Sequence, residues 1–147
     1  MSRGSTRHGN KKFLSLREFR DRLKNLSGKS KDNFIRRELN NAGAEMLDRT
    51  KSRTPVDTGA LKATWNVQPA RKVGSGWELV IRNPMHYASY IEFGHRYTNG
   101  NYYEPKYMMT RSANEIQKKF PRELELNIVK WFDNSLTRKE WLKNNGK

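Results

Sequence analysis

Residues 52–65 read SRTPVDTGALKATW, and within this stretch one kind of periodicity gives way to another. Pro55 has no amide hydrogen and restricts Thr54 before it, so a helix arriving from the N-terminal side must stop here. Asp57-Thr58-Gly59 is a turn signal, with Gly59 able to take the left-handed backbone that other residues resist. Leu61 to Trp65 then opens an alternating pattern. The stretch is predicted as a junction at which a helix hands over to a sheet.

On its N-terminal side Ile35, Leu39, Ala42 and Met46 recur at four, three and four residues, flanked by Phe34 and Leu47. This predicts a helix from about Lys31 to Ser52. Ala42, Gly43 and Ala44 leave its middle narrow enough for another element to come close. Further back, Ser15 with Glu18 makes a capping box, Leu16, Phe19, Leu23 and Leu26 form a stripe, and Gly28 suits the position just past a helix end. The opening MSRGSTRHGNKK has no apolar periodicity and reads as a flexible basic arm, residues 1–12.

On its C-terminal side TWNVQPA places Trp65 and Val67 on one face. WELVIRN places Trp77, Leu79 and Ile81 on one face, with Glu78 and Arg82 opposite. RKVGSG between them supplies a turn, so the pair reads as a hairpin whose tryptophans cover the long helix. Tyr87 to Phe93 is a short apolar segment, either a helical turn or an edge strand. Helical composition returns from Lys106 to Phe120, and Pro121 opens a new first turn or kinks the rod. Ile116, Phe120, Leu124, Ile128 and Phe132 hold a spacing of four, and Thr137 with Glu140 caps a last short helix through Trp141.

The expected fold class is α+β: a small antiparallel β-sheet, a hairpin plus short edge segments, packed by a long N-terminal helix and C-terminal helices. The expected division is an arm at 1–12, one domain at 13–134 and a helical tail at 135–147. A chain of 147 residues suits one domain with a real core.

Thirty Lys and Arg against fifteen Asp and Glu give a formal charge of +15. Ten of the basic residues lie within 1–31, a bias that favours anionic partners, either nucleic acid or acidic protein surfaces. There is no cysteine and therefore no disulfide or thiolate metal site. No apolar run approaches the roughly 20 residues that span a bilayer, so a soluble protein made inside a cell is expected.

Catalytic readings fail for want of partners. His8, His86 and His95 lack a metal-ligand spacing, even with Glu92 added. There is no nucleophile elbow, and GSG lacks the Lys-Ser/Thr of a phosphate-binding loop. Asp57-Thr58-Gly59 matches the aspartic-protease triplet, but it follows a helix and a proline where that chemistry needs two such loops in all-β lobes. Nucleic-acid binding has the basic arm and Tyr97, Tyr102, Tyr103 and Tyr107 in its favour, yet no recognition helix, RNP motif or KH loop. No enzyme, cofactor or metal is expected.

RTPVDTGALKATW, followed some twenty residues later by YASYIEFGH and then by YEPKYMMTRSA, resembles the tail-completion, or head–tail joining, proteins of tailed bacteriophages and their prophage and tail-like bacteriocin relatives. Thr54 to Thr64 match the first block of that family, and Tyr87, Ala88, Tyr90, Ile91, Glu92, Phe93 and Gly94 the second; His95 stands where the family has Thr. Pro105 and Ala113 align with the third. The resemblance implies a non-enzymatic virion component at the neck or collar, commonly a six-fold ring. Its partners would be other copies of itself, tail terminator, tail tube or head connector proteins, with non-specific DNA contact if the basic flanks face the lumen. Pro55, Asp57, Thr58 and Gly59 would set the turn. Leu61 and Trp65 would anchor the sheet, Tyr87 and Gly94 would complete the second block, and Tyr90, Ile91 and Phe93 would pack while Glu92 paired with a basic neighbour.

Overall fold

Helix α1 runs Gly28–Arg53 and stops two residues short of Pro55. Thr54 closes it by donating its amide to the Lys51 carbonyl at 3.2 Å and its hydroxyl to the Thr50 carbonyl at 2.8 Å. The computed structural model describes residue 24 and residues 28–57 and 59–145, with side chains as far as 131. The chain divides into two units, Met1–Phe34 and Ile35–Lys147. Of the first, the described residues are chiefly the opening of α1. The arm at 1–12, the helix expected from Ser15 and Thr58 lie outside the described residues. Gly28, expected just past a helix end, is the first residue of α1.

Beyond Pro55 the chain does not enter a sheet at Leu61. Gly59, at φ 79°, starts a five-residue helix, α2 (Ala60–Thr64), and strand β1 (Asn66–Val67) begins only after Trp65. An Ala-Leu-Lys-Ala run favours one helical turn over an extended strand, and five residues are too few for periodicity to reveal it. Asn83 fixes the end of this turn, its Nδ2 donating to the Leu61 carbonyl at 2.8 Å while its Oδ1 accepts from the Met85 amide at 3.0 Å.

The hairpin is present as an antiparallel ladder in two pieces. β1 pairs with β4 (Ile81–Arg82), Val67 opposite Ile81, and β2 (Arg71–Val73) pairs with β3 (Gly76–Glu78), Lys72 opposite Trp77. Three residues, Gln68 to Ala70, stand against two, Leu79 and Val80, so the register shifts by one. Pro69 cannot donate to a ladder, which makes this the place for the bulge. The amides on either side of it are used: Gln68 donates to the Val80 carbonyl at 2.8 Å and Ala70 to Asn40 Oδ1 on α1 at 2.7 Å. Gly43 of α1 meets the same hairpin, and a Cβ there would lie 2.9 Å from both Leu79 methyls and 3.1 Å from Val67 Cγ2. Arg36 covers Trp77 at 5.6 Å from the ring centroid.

Tyr87 to Phe93 is helical: α3 is Ala88–Phe93. A second small hairpin follows, β5 (His95–Arg96) with β6 (Tyr102–Tyr103). The rest is one helix, α4, Met108–Asn145, about 57 Å long at 1.5 Å per residue. It runs through Pro121 and through Thr137, so neither opens a new helix. Gln117 and Pro121 are both exposed, which leaves the carbonyl that lost its partner to water. Long helices and small antiparallel sheets make the α+β class expected from sequence.

The core is Leu61, Trp65, Ala88 and Met108, with Leu47, Ile81, Met85, Tyr87, Ile91 and Met109 packed around it. It lies where the end of α1, the short helices α2 and α3 and the start of α4 meet. Away from it α1 and α4 run antiparallel and are bridged by polar groups. Glu38 Oε2 accepts from Asn127 Nδ2 at 2.7 Å, Glu45 meets Lys119 at 2.6 Å, Arg49 and Arg53 both hold Glu115, and Arg53 also donates to Ser112 Oγ at 2.7 Å. A pocket of about 100 Å³ lies in this seam, lined by Asn41, Ala42, Phe120 and Glu123 among others. Lys119, then Arg49, hold the Glu45 carboxyl below its ordinary value, and Arg53, then Arg49, do the same for Glu115.

Candidate functional site

The two sequence blocks singled out above meet in space. The first block contributes Leu61 and Trp65 to the core, and the second contributes Tyr87, Ala88 and Ile91. Trp65 is 5 % exposed and its Nε1 donates to Thr54 Oγ1 at 2.9 Å. That hydroxyl in turn donates to the Thr50 carbonyl, and the fully buried Thr50 hydroxyl to the Met46 carbonyl at 2.7 Å. The indole nitrogen, which costs energy to bury unpaired, is thereby satisfied by the last turn of α1. Pro55 and Asp57 are exposed on the connection, and Gly59 makes its left-handed corner.

The second block differs from expectation in three side chains. Glu92 is 3 % exposed and pairs with no cation among the described residues; its two oxygens accept from the Met109 amide at 3.0 Å, the Thr110 amide at 2.8 Å and the Thr110 hydroxyl at 2.7 Å. These are the second and third amides of α4, so a carboxylate from α3 does what an N-cap side chain ordinarily does. Tyr90 and Phe93, expected to pack, are 55 % and 57 % exposed. In a helix Ala88, Ile91 and Glu92 share the inner face, and Tyr90 and Phe93 fall on the outer one.

Gly94 ends α3 at φ 74°. A Cβ on it would lie 2.6 Å from the Tyr103 carbonyl oxygen and 2.8 Å from the Tyr102 hydroxyl, so the β5–β6 hairpin folds back directly onto it. Two further bonds hold the returning chain, Lys106 N to Ile91 O at 2.9 Å and Tyr107 N to Glu92 O at 3.1 Å. Among the rings of this loop His95 lies 4.6 Å from Tyr97, 5.3 Å from Tyr103 and 5.6 Å from Tyr90.

This geometry packs and caps. Among the described residues no group of three His, Cys, Asp or Glu side chains is placed to hold a metal ion, and of the two acids in the blocks Asp57 is exposed while Glu92 is occupied by helix amides. Residues 17–94, just over half of the chain, match the family described as "Bacteriophage HK97-gp10, putative tail-component". The chain belongs to the HK97 gp10-like family. No curated protein and no solved structure matches it. As a member of the HK97 gp10-like family it is a structural component of a bacteriophage tail, hence of the virion, and it associates with other tail or virion proteins. No described helix is long and apolar enough to cross a membrane.

Within the matched span of this HK97 gp10-like chain lie both motif blocks; Tyr97, Tyr102 and Tyr107 lie beyond it. Sequence reading missed Thr50, Asn83 and the α1–α4 ion pairs. For the last there is a signal: Glu45, Arg49 and Arg53 on one helix and Glu115, Lys119 and Glu123 on the other each recur at four residues with alternating or complementary charge.

Proposed function

We propose that this protein completes the end of the tail and joins it to the head connector or neck, acting as a closed ring of copies, six-fold as the resemblance implies. The observation that carries the reading is the meeting of TPVDTGALKAT and YASYIEFG in one core, in a chain of the HK97 gp10-like family. A compact body that fixes its own core with these blocks leaves its loops and basic flanks for neighbours, and a heterologous contact that closes on rotation makes a ring. The direct partners are tail terminator, tail tube or head connector proteins, in a phage or in a phage-tail-like particle, and synthesis is in the host cytoplasm. The protein does no enzymatic chemistry, and residues 1–12, 13–134 and 135–147 serve as arm, body and tail.

The test is to make particles without the protein and image them. Unjoined heads and tails, or tails with a faulty end, are expected; normally joined particles would sink the reading. The formal charge of +15 favours one second reading, DNA binding through the basic arm. Tight binding to duplex DNA at physiological salt, with a steep salt slope, would select it.

A further inference from the structure

Five of the large apolar side chains that the described residues leave exposed fall within one short segment: Tyr90, Phe93, Tyr97, Tyr102 and Tyr107. They lie close together. His95 touches Tyr90, Tyr97 and Tyr103, the Tyr102 hydroxyl sits over Gly94, and the bond from Tyr107 N to Glu92 O brings Tyr107 beside the turn that carries Phe93. A clustered aromatic surface of this kind marks a site of macromolecular contact.

Tyr107 supplies an independent observation. Among the described residues it is the non-glycine residue at positive φ, 46°, in a conformation that disfavours any side chain with a Cβ. Tyr107 is 38 % exposed and is not part of the core cluster. The backbone there would be easier with glycine, so a tyrosine at this position costs the fold conformational energy, and strain of this kind gathers at contact sites.

The charge around the patch identifies the occupant. Arg96, Lys106 and Arg111 are exposed; Lys106 lies over the Tyr103 ring at 5.5 Å, and Arg96 and Arg111 form no ion pair among the described residues. Of the two acids between residues 86 and 111, Glu92 is buried against α4 and Glu104 alone is exposed. An apolar centre with a basic rim matches an acidic protein surface. A second copy of a chain carrying +15 would meet the rim with like charge. Duplex DNA would offer phosphates to the rim but no apolar surface to the aromatic centre.

We propose that the outer face of α3, the β5–β6 hairpin and Tyr107 form the surface by which this protein docks onto an acidic face of an adjoining head or tail protein. The inference rests on the joining function proposed above and names the surface that performs it.

The test uses the full chain in a phage from which the native gene has been removed. Three variants are supplied in trans: Tyr107→Gly, the pair Phe93→Ser with Tyr97→Ser, and Arg96→Glu. Each is expected to stay folded, Tyr107→Gly with a melting temperature equal to or above that of the parent chain, while the amount carried in purified particles falls about ten-fold or more. Folded variants that enter particles normally overturn the inference, and because the deletion still yields unjoined particles the joining function survives that result. Normally joined particles in the deletion overturn the joining function itself. Two further measurements check the occupant. Loss of self-association in sedimentation by these variants would make it a second copy, and loss of duplex-DNA affinity would make it nucleic acid; either overturns the proposal.

Discussion

The Glu92 carboxylate, on a six-residue helix, accepts the amides of Met109 and Thr110 and so closes the N-terminus of the longest helix in the chain. The residue that precedes that helix, Tyr107, has no side-chain oxygen able to reach these amides. A buried anion here gains from charge-assisted hydrogen bonds and from the helix dipole together. Glu92→Ala strands three donors in the interior and is expected to cost about 3 kcal/mol, roughly 10 °C in melting temperature for a chain of this size. Glu92→Gln keeps one acceptor and should lose about half as much. Thermal unfolding of the two variants checks this: equal losses would mean that the acceptor kept by Gln contributes nothing, and a Glu92→Gln variant as stable as the parent would mean that the charge contributes nothing.

Gly94 is constrained twice over, by its positive φ and by the Tyr103 carbonyl that a Cβ would approach to 2.6 Å. The obstacle is backbone, which cannot swing aside as a side chain can. Gly94→Ala is therefore expected to detach the β5–β6 hairpin from α3 at a cost of about 3 kcal/mol or more. Amide hydrogen exchange should show lost protection from residue 95 to residue 107, with α1 unchanged.

At Gly43 two effects oppose each other. A methyl there would press on the Leu79 methyls and on Val67 Cγ2, but Leu79 is flexible at its tip, and alanine in mid-helix gains about 1 kcal/mol over glycine. Gly43→Ala should be close to neutral. Gly43→Val adds bulk that Val67 cannot yield to and should destabilise by about 2 kcal/mol. Denaturant melts that show both variants equally stable would mean that the hairpin does not rest on α1 at this point.

Acid should weaken the α1–α4 seam in a defined window. Glu45 and Glu115 are held below the ordinary carboxyl value of 4.5 by Lys119, Arg53 and Arg49. Their contribution is therefore complete above about pH 4.5 and is lost as pH falls through the lowered values. Lys119 and Arg49 are shifted upward, so their share is lost only as pH rises beyond the ordinary lysine and arginine ranges. Glu115→Gln should melt below the parent at neutral pH, and the gap should close as pH falls below the ordinary carboxyl range. These groups are half-exposed, so the gap at neutral pH should also shrink with added salt. A gap that persists in acid would assign the loss to packing instead.

The long helices were legible because their signal is local. Ile35, Leu39 and Met46 fall on one face of α1, Met46 buried and the other two partly so, and Pro55 stops it where a proline must. The hairpin followed from two alternating runs and a glycine turn, although the bulge depends on Pro69 and on the Ala70 amide meeting Asn40 from 30 residues away. What the sequence hid is what only assembly of the chain creates. Glu92 reads as a charge seeking a cation until α4 arrives with unpaired amides, and Tyr90 and Phe93 read as core until the segment is seen to be helical. Leu61 and Trp65 do enter the core, but from a turn of helix and its end, since one turn carries no periodicity to read.

The pairing of Glu45, Arg49 and Arg53 with Glu115 and Lys119 has a mechanical consequence. The main core cluster lies where the end of α1 meets the start of α4, and Met46 on the one helix and Ile116 on the other are buried as well. The ion pairs beside them are half-exposed and therefore screened by salt, whereas apolar burial is not. The two helices are thus held by two kinds of link that answer to different conditions, and salt or acid should loosen the one while leaving the other in place.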